Sequence, residues 1–220
     1  MKKSLMIALA AAAVLAMGAT SPMAQGNITI HFSGYGYEVG GFEFSDPGDE
    51  IHLISRVTSI EAPGALPYFP TDYEYTLVVT GLLSNGEIVD SGVSTIVYNL
   101  GAFAIYEDAA FNSTWTEYPS IPTPPPSFFD GTAWLTGPFT DFAMTLWRDL
   151  GMGVFEGHIS LTGGSAIAYF TEEAYTFGGT LVPPHNPGIP DGYELSLDGE
   201  VWVEYIATET SSLSQIKALY

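Results

Sequence analysis

The sequence predicts an all-β domain, an antiparallel two-sheet sandwich of jelly-roll or immunoglobulin-like type, followed by a short C-terminal helix. Three observations predict it. Apolar residues recur at every second position in run after run. Gly, Pro, Asn and Asp punctuate the runs. A helical 3.6-residue period is nearly absent before the C-terminus. Strict alternation places one face of a strand on a core and the other in water, the habit of antiparallel rather than buried parallel sheets. Regularly spaced strands without long helices belong to sandwiches and barrels, and the sandwich is the architecture expected here.

The elements follow in order. Ile28, Ile30 and Phe32 alternate with Thr29 and His31. Ile51, Leu53 and Val57 alternate with His52, Arg56 and Thr58. Tyr73, Tyr75, Leu77 and Val79 alternate with Glu74, Thr76 and Thr80. Residues 95–106 and 139–147 are apolar on both faces, as central or loop-covered strands would be. Phe155, Ile159 and Leu161 oppose Val154, Glu156, His158 and Ser160. Tyr193, Leu195, Leu197, Val201 and Val203 oppose Glu194, Ser196, Asp198, Glu200 and Glu204. Asp46-Pro47-Gly48-Asp49 and Ser84-Asn85-Gly86-Glu87 read as turns, since Pro fixes φ while Gly and Asn accept positive φ. Asp198-Gly199 reads as a tight turn or a bulge. The proline-rich segments 61–72, 118–130 and 183–191 read as stiffened surface loops.

Three parts are expected: a signal peptide over residues 1–25, the β-sandwich over 26–206 and a tail over 207–220. Lys2 and Lys3 precede an apolar run, Leu5 to Met17, and small residues follow up to Ala24. That run is shorter than the ~20 apolar residues a bilayer span needs, so export with cleavage is expected, with no transmembrane span in the mature form. The remainder is long enough to bury a core without staples. The absence of Cys removes disulfides, thiol catalysis and Cys-based zinc sites. In the tail, Leu213, Ile216, Leu219 and Tyr220 fall at helical spacing after Ser211 and Ser212.

Charge narrows the partners. Once Lys2 and Lys3 leave, three cations (Arg56, Arg148 and Lys217) face 25 acids, a formal −22. Nucleic acid is excluded as a partner, because phosphate binding needs clustered Lys and Arg. The four histidines lack the spacing of a local ligand pair. Calcium is the better metal expectation, as it takes hard oxygen ligands on a tight loop. Asp46, Asp49 and Glu50 on one turn are the candidate ligands, and solubilising turn residues are the alternative. No other cofactor is expected. There is no Gly-x-Ser-x-Gly, phosphate loop or dinucleotide fingerprint, and a non-enzymatic role is expected. Aromatics are abundant, with 13 Phe, 13 Tyr and 4 Trp in the chain. Most suit a core, whereas Trp115 and Tyr118, beside prolines, are the candidate ligand-binding residues.

The pieces Tyr75 to Leu82, Gly157 to Gly164 and Tyr175 to Thr180 resemble segments of uncharacterised secreted bacterial β-rich proteins. The final ten residues resemble short C-terminal tails of secreted bacterial proteins that end in an Ile-Lys-x-Leu-Tyr type motif. The resemblance implies fold and compartment, and no activity. The function expected is that of an exported structural, adhesive or ligand-binding domain, secreted, periplasmic or on the cell surface, with an extracellular glycan or an envelope component as partner. A carbohydrate-binding module, with or without calcium, is the first alternative, and a glycoside hydrolase-like enzyme the second.

Overall fold

A computed structural model describes residues 28–62, 66–116, 123–170, 174–182 and 188–203. Its strands are β1 (Thr29–Glu38), β2 (Glu50–Glu61), β3 (Glu74–Asp90), β4 (Val93–Asp108), β5 (Thr132–Trp147), β6 (Met152–Ile159), β7 (Tyr175–Val182) and β8 (Leu195–Trp202). Each pairs antiparallel with the next, and β8 pairs back onto β1 through Ile30–Val201 and Gly34–Leu197. The sheet is therefore a single closed eight-stranded barrel. This overturns the two-sheet sandwich, jelly-roll or immunoglobulin-like. The alternating runs are the same in either architecture; what differs is strand order, and the closing contact joins the two ends of the domain. The expected signal peptide, tail and C-terminal helix lie outside the described residues.

The inward positions are the apolar ones of each alternation. Leu53, Leu77, Ile105, Met144, Ile159 and Leu195 are fully buried. Phe177 is the hub of the interior. It stacks on Phe32 at 4.8 Å and meets Phe155 at 5.3 Å, Phe139 at 5.4 Å, Phe142 at 6.1 Å and Phe103 at 6.2 Å. Eight strands enclose a space that side chains alone can fill, and here phenylalanines fill it. Glycine makes the room. Gly179 and Gly199 face each other across β7 and β8, and a Cβ on Gly199 would lie 2.6 Å from Phe32 Cζ and 2.9 Å from Phe155 Cζ.

Outward positions carry His31, Arg56, Thr180, Asp198 and Glu200. That side of the barrel is polar, whereas outward positions of β4 and β6 include exposed Val97, Met152 and Val154. No helix among the described residues is long and apolar enough to cross a membrane.

Two segments expected as turns or bulges lie within strands. Ser84 to Glu87 is a register shift within β3. Asp198-Gly199 lies inside β8 as neither turn nor bulge, in unbroken register with β1 and β7. The Asp46–Asp49 turn holds: Asp49 N donates to Asp46 O at 3.1 Å, and Gly48 has φ 99°.

Two connections fold back onto the barrel. Residues 39–49, between β1 and β2, close one end: Phe42 is buried there, and Arg148 Nη1 donates to its carbonyl at 3.1 Å. The β4–β5 connection crosses the outer face of β1 to β3. Its Phe128 is buried against Tyr37, Ile54, Val78 and Tyr193, and Thr76 Oγ1 donates to Phe128 O at 2.7 Å. This second, smaller core explains why outward-facing Tyr37 and Ile54 are buried.

Candidate functional site

A groove runs along the outer face of β1, with β2 on one side and β8 and β7 on the other. It consists of two depressions that share Thr58 and Asp198. The first, about 430 Å3, is lined by His31, Thr58, Gly178, Thr180, Asp198, Glu200 and Trp202. The second, about 360 Å3, is lined by Ser33, Gly34, Tyr35, Arg56, Trp115, Ser196 and Asp198.

Strand periodicity places these groups. His31, Ser33 and Tyr35 are successive outward positions of β1, and Ser196, Asp198, Glu200 and Trp202 are successive outward positions of β8. Gly178, at an outward position of β7, leaves the floor bare. A Cβ on Gly178 would come within 2.9 Å of Trp202 Cη2, so the indole lies over a position that only glycine fits. Trp202 pairs with Thr176 of β7 and its indole lies beside Gly178, level with Glu200 and His31, while Trp115 meets Tyr35. At ~3.3 Å per strand residue, the four residues from His31 to Tyr35 set the two indoles about 13 Å apart along the groove.

Trp115 is half-buried rather than a free-standing platform. It meets Phe128 at 4.5 Å, Tyr35 edge-on at 4.8 Å and Tyr193 at 5.8 Å. The Arg56 guanidinium lies 5.4 Å from its ring centroid. Arg56 is itself fixed: its Nε donates to Ser113 Oγ at 2.8 Å and lies 3.6 Å from Glu74 Oε2, and its Nη2 donates to Ser113 O. At the other end His31 bridges two carboxylates, Glu200 Oε1 at 3.1 Å and Glu61 Oε1 at 3.7 Å.

Tyr118 lies outside the described residues, so only Trp115 of the expected pair is placed. Of the calcium candidates, Asp46 and Asp49 share the turn, and Asp46 N donates to Asp49 Oδ2 at 2.9 Å. Glu50 is engaged elsewhere: Gly81 N donates to its Oε1 at 2.7 Å, and His52 Nε2 lies 3.3 Å from the same oxygen. Among the described residues no three His, Cys, Asp or Glu side chains come together as metal ligands.

Sequence reasoning missed Trp202, Gly178, Asp198 and Arg56 as one site. One signal was there: Trp202 is a large ring at an outward position of an otherwise polar face.

The lidded end of the barrel holds the most perturbed carboxyl. Glu38 is 1% exposed. Ser45 Oγ donates to its Oε1 at 2.7 Å and Tyr98 Oη donates to the same atom at 3.3 Å. Oε2 is buried without a hydrogen bond. Burial pushes its pKa up to about 7; Asp49 and Glu194 add to the rise, and the Ser45 and Tyr98 hydroxyls moderate it. Nearby Glu87 goes the other way. Burial favours its neutral form, but Arg148, Ser94 and Ser45 together hold the carboxyl below its ordinary value. His52, on the outer face, stacks on Tyr37 at 4.8 Å; burial pulls its pKa down, against the opposing pull of Glu50.

The chain matches no protein-family model, no curated protein and no solved structure. Its site is therefore read from its own geometry.

Proposed function

We propose that this is an exported, non-enzymatic binding domain whose outer groove along β1 takes an uncharged glycan chain. One observation carries the reading: two tryptophans stand at the ends of a groove with glycine in its floor and hydrogen-bonding side chains along its walls. An indole face suits the apolar C–H face of a sugar ring. Hydroxyl groups find acceptors in Asp198 and Glu200, and donors or acceptors in Thr58, Thr180, Ser33 and Ser196. Rings about 13 Å apart suit a short oligosaccharide rather than a monosaccharide.

The carboxylates also favour binding over hydrolysis. Asp198 and Glu200 are exposed, whereas a general acid needs a desolvated carboxyl. The strong negative charge favours neutral over acidic glycans. Export rests on the charged, apolar and small-residue sequence of residues 1–25, with the secreted, periplasmic or cell-surface compartment that it implies.

The test is a glycan array followed by titration calorimetry. Trp202→Ala is expected to weaken the best ligand at least tenfold, about 1.4 kcal/mol. Asp198→Asn is expected to weaken it less. Trp115→Ala is a poorer probe, because it also removes a ring from the outer core. Binding that survives both Trp202→Ala and Asp198→Asn would place the ligand elsewhere, and an array without a neutral binder would remove the proposal.

A further inference from the structure

The end of the barrel opposite the lid is a mouth with two connections folded over it. Residues 66–73 are pinned by Trp134, whose Nε1 donates to Pro67 O at 3.0 Å. Residues 160–170 are pinned by Ala166 N, which donates to Trp134 O at 2.9 Å. Between them lies a cavity of about 490 Å3, lined by Phe69, Asp72, Tyr73, Glu107, Trp134 and Tyr169. Its size is that of a small-molecule pocket.

Two features set its chemistry. The first is aromatic surface: Phe69 and Tyr169 are 52% and 45% exposed at the rim. Large rings left open around a concavity mark a place where something docks. The second is unbalanced charge. Asp72 and Glu107 line the cavity, and neither Lys nor Arg does. Glu107 is also held in place. Tyr75 Oη donates to its Oε2 at 3.0 Å and accepts from Phe69 N at 3.1 Å. Burial pushes the Tyr75 hydroxyl up to about 12, so it stays a donor. Among the described residues nothing donates to Glu107 Oε1.

We propose that this mouth binds an organic ammonium ion, with Glu107 facing the charge and the rings of Phe69, Tyr73 and Tyr169 packing its alkyl shell. A cation set against aromatic faces is attracted by their quadrupoles, more strongly where water is excluded. An inorganic anion is repelled by both acids. A hard divalent cation needs more oxygen ligands than the cavity offers. The field of the whole chain, at −20, concentrates cations near the mouth.

Titration calorimetry with choline, and with its uncharged isostere 3,3-dimethylbutan-1-ol, tests this on the full chain. Choline is expected to saturate, and the isostere to bind at least tenfold more weakly. Tyr169→Ala and Glu107→Gln are each expected to weaken choline at least tenfold. Asp72→Asn should weaken it less, and Trp202→Ala, in the separate outer groove, should leave it unchanged. Glu107→Gln also disturbs Tyr75, so thermal melts accompany each variant; if it fails to fold, Tyr169→Ala and Asp72→Asn decide. Equal binding of the isostere, no heat with choline, or choline binding indifferent to Tyr169→Ala would overturn the proposal.

Discussion

Replacing Glu38 with Gln is expected to stabilise the barrel above neutral pH and to flatten its response to pH. The side chain points into the lidded end, beneath Ser45 and beside Tyr98, and burial disfavours its ionised form. Its folded pKa of about 7 exceeds the ordinary 4.5. The folded state therefore holds the proton more tightly than the unfolded chain. That stabilisation is fully present below pH 4.5 and is lost as pH rises through about 7. Each tenfold change in proton affinity is worth about 1.4 kcal/mol, so the loss amounts to about 3 kcal/mol. Three other charged groups bear on it. Asp49 and Glu194 push in the same direction, while Arg148 is taken up by Glu87. A Gln at this position keeps an acceptor for Ser45 and Tyr98 but adds an amide without a described acceptor, costing about 1–2 kcal/mol. The net gain above pH 7 is then about 1–2 kcal/mol, or roughly 2–8 °C in Tm for a domain of this size. Below pH 4.5 the sign reverses and wild type is the more stable. Buried His52 has the opposite linkage: its contribution is present above pH 6.5 and lost as pH falls below that value. It is common to both proteins, so it cancels in the difference. Urea denaturation of wild type and variant across this range measures that difference directly. A stability difference that does not change with pH would refute the reasoning.

Three further outcomes follow from the packing. Gly199→Ala would set a Cβ 2.6 Å from both Gly178 O and Phe32 Cζ, and should cost about 3 kcal/mol in urea denaturation; wild-type stability would mean that the phenylalanine cluster can shift. Arg148→Met should cost about 2–3 kcal/mol, reduced from a fully buried pair because Arg148 is 28% exposed while Glu87 is 1% exposed. Adding Glu87→Gln should recover part of that loss, and a double variant no better than the single one would show that the charge is not what matters. Calcium in excess over chelator should leave Tm unchanged, because the Asp46–Asp49 turn is closed by its own hydrogen bonds and Glu50 is engaged by Gly81. A rise in Tm would restore Asp46, Asp49 and Glu50 as ligands.

What could be read from the sequence is what repeats locally. The alternations over Tyr75 to Val79 and Leu195 to Val201 name inward residues correctly, because a two-residue period is a property of one strand, whereas Tyr193, ahead of β8, joins the outer core. Closure is not. Ile30 meets Val201 across the whole domain, and no local pattern encodes that contact. The better clue was glycine at inward positions of Phe-rich strands. Gly36, Gly153, Gly157, Gly179 and Gly199 each sit where a Cβ would strike a neighbouring side chain. Small residues opposite large ones are what a tapering barrel interior needs, whereas Asp198-Gly199 looks like a turn when read alone. Ser84-Asn85-Gly86-Glu87 misleads for the same reason: residues that accept turn geometry also accept a bulge.

The same closure explains why the candidate site was only half legible. An eight-stranded barrel packed with phenylalanine has no room for a ligand at its centre, so binding surface must come from outside the wall or from the ends. Trp115 is reachable from sequence as a ring beside a proline segment. Its partners Arg56, Asp198 and Trp202 come from β2 and β8, and only the closing β1–β8 pairing sets those strands on either side of β1. Trp202 shows the limit most plainly. In β8 it follows Asp198 and Glu200 on the outward face, where an indole has no core to join. Its closeness to Gly178, on a third strand, gives that ring a floor to lie on.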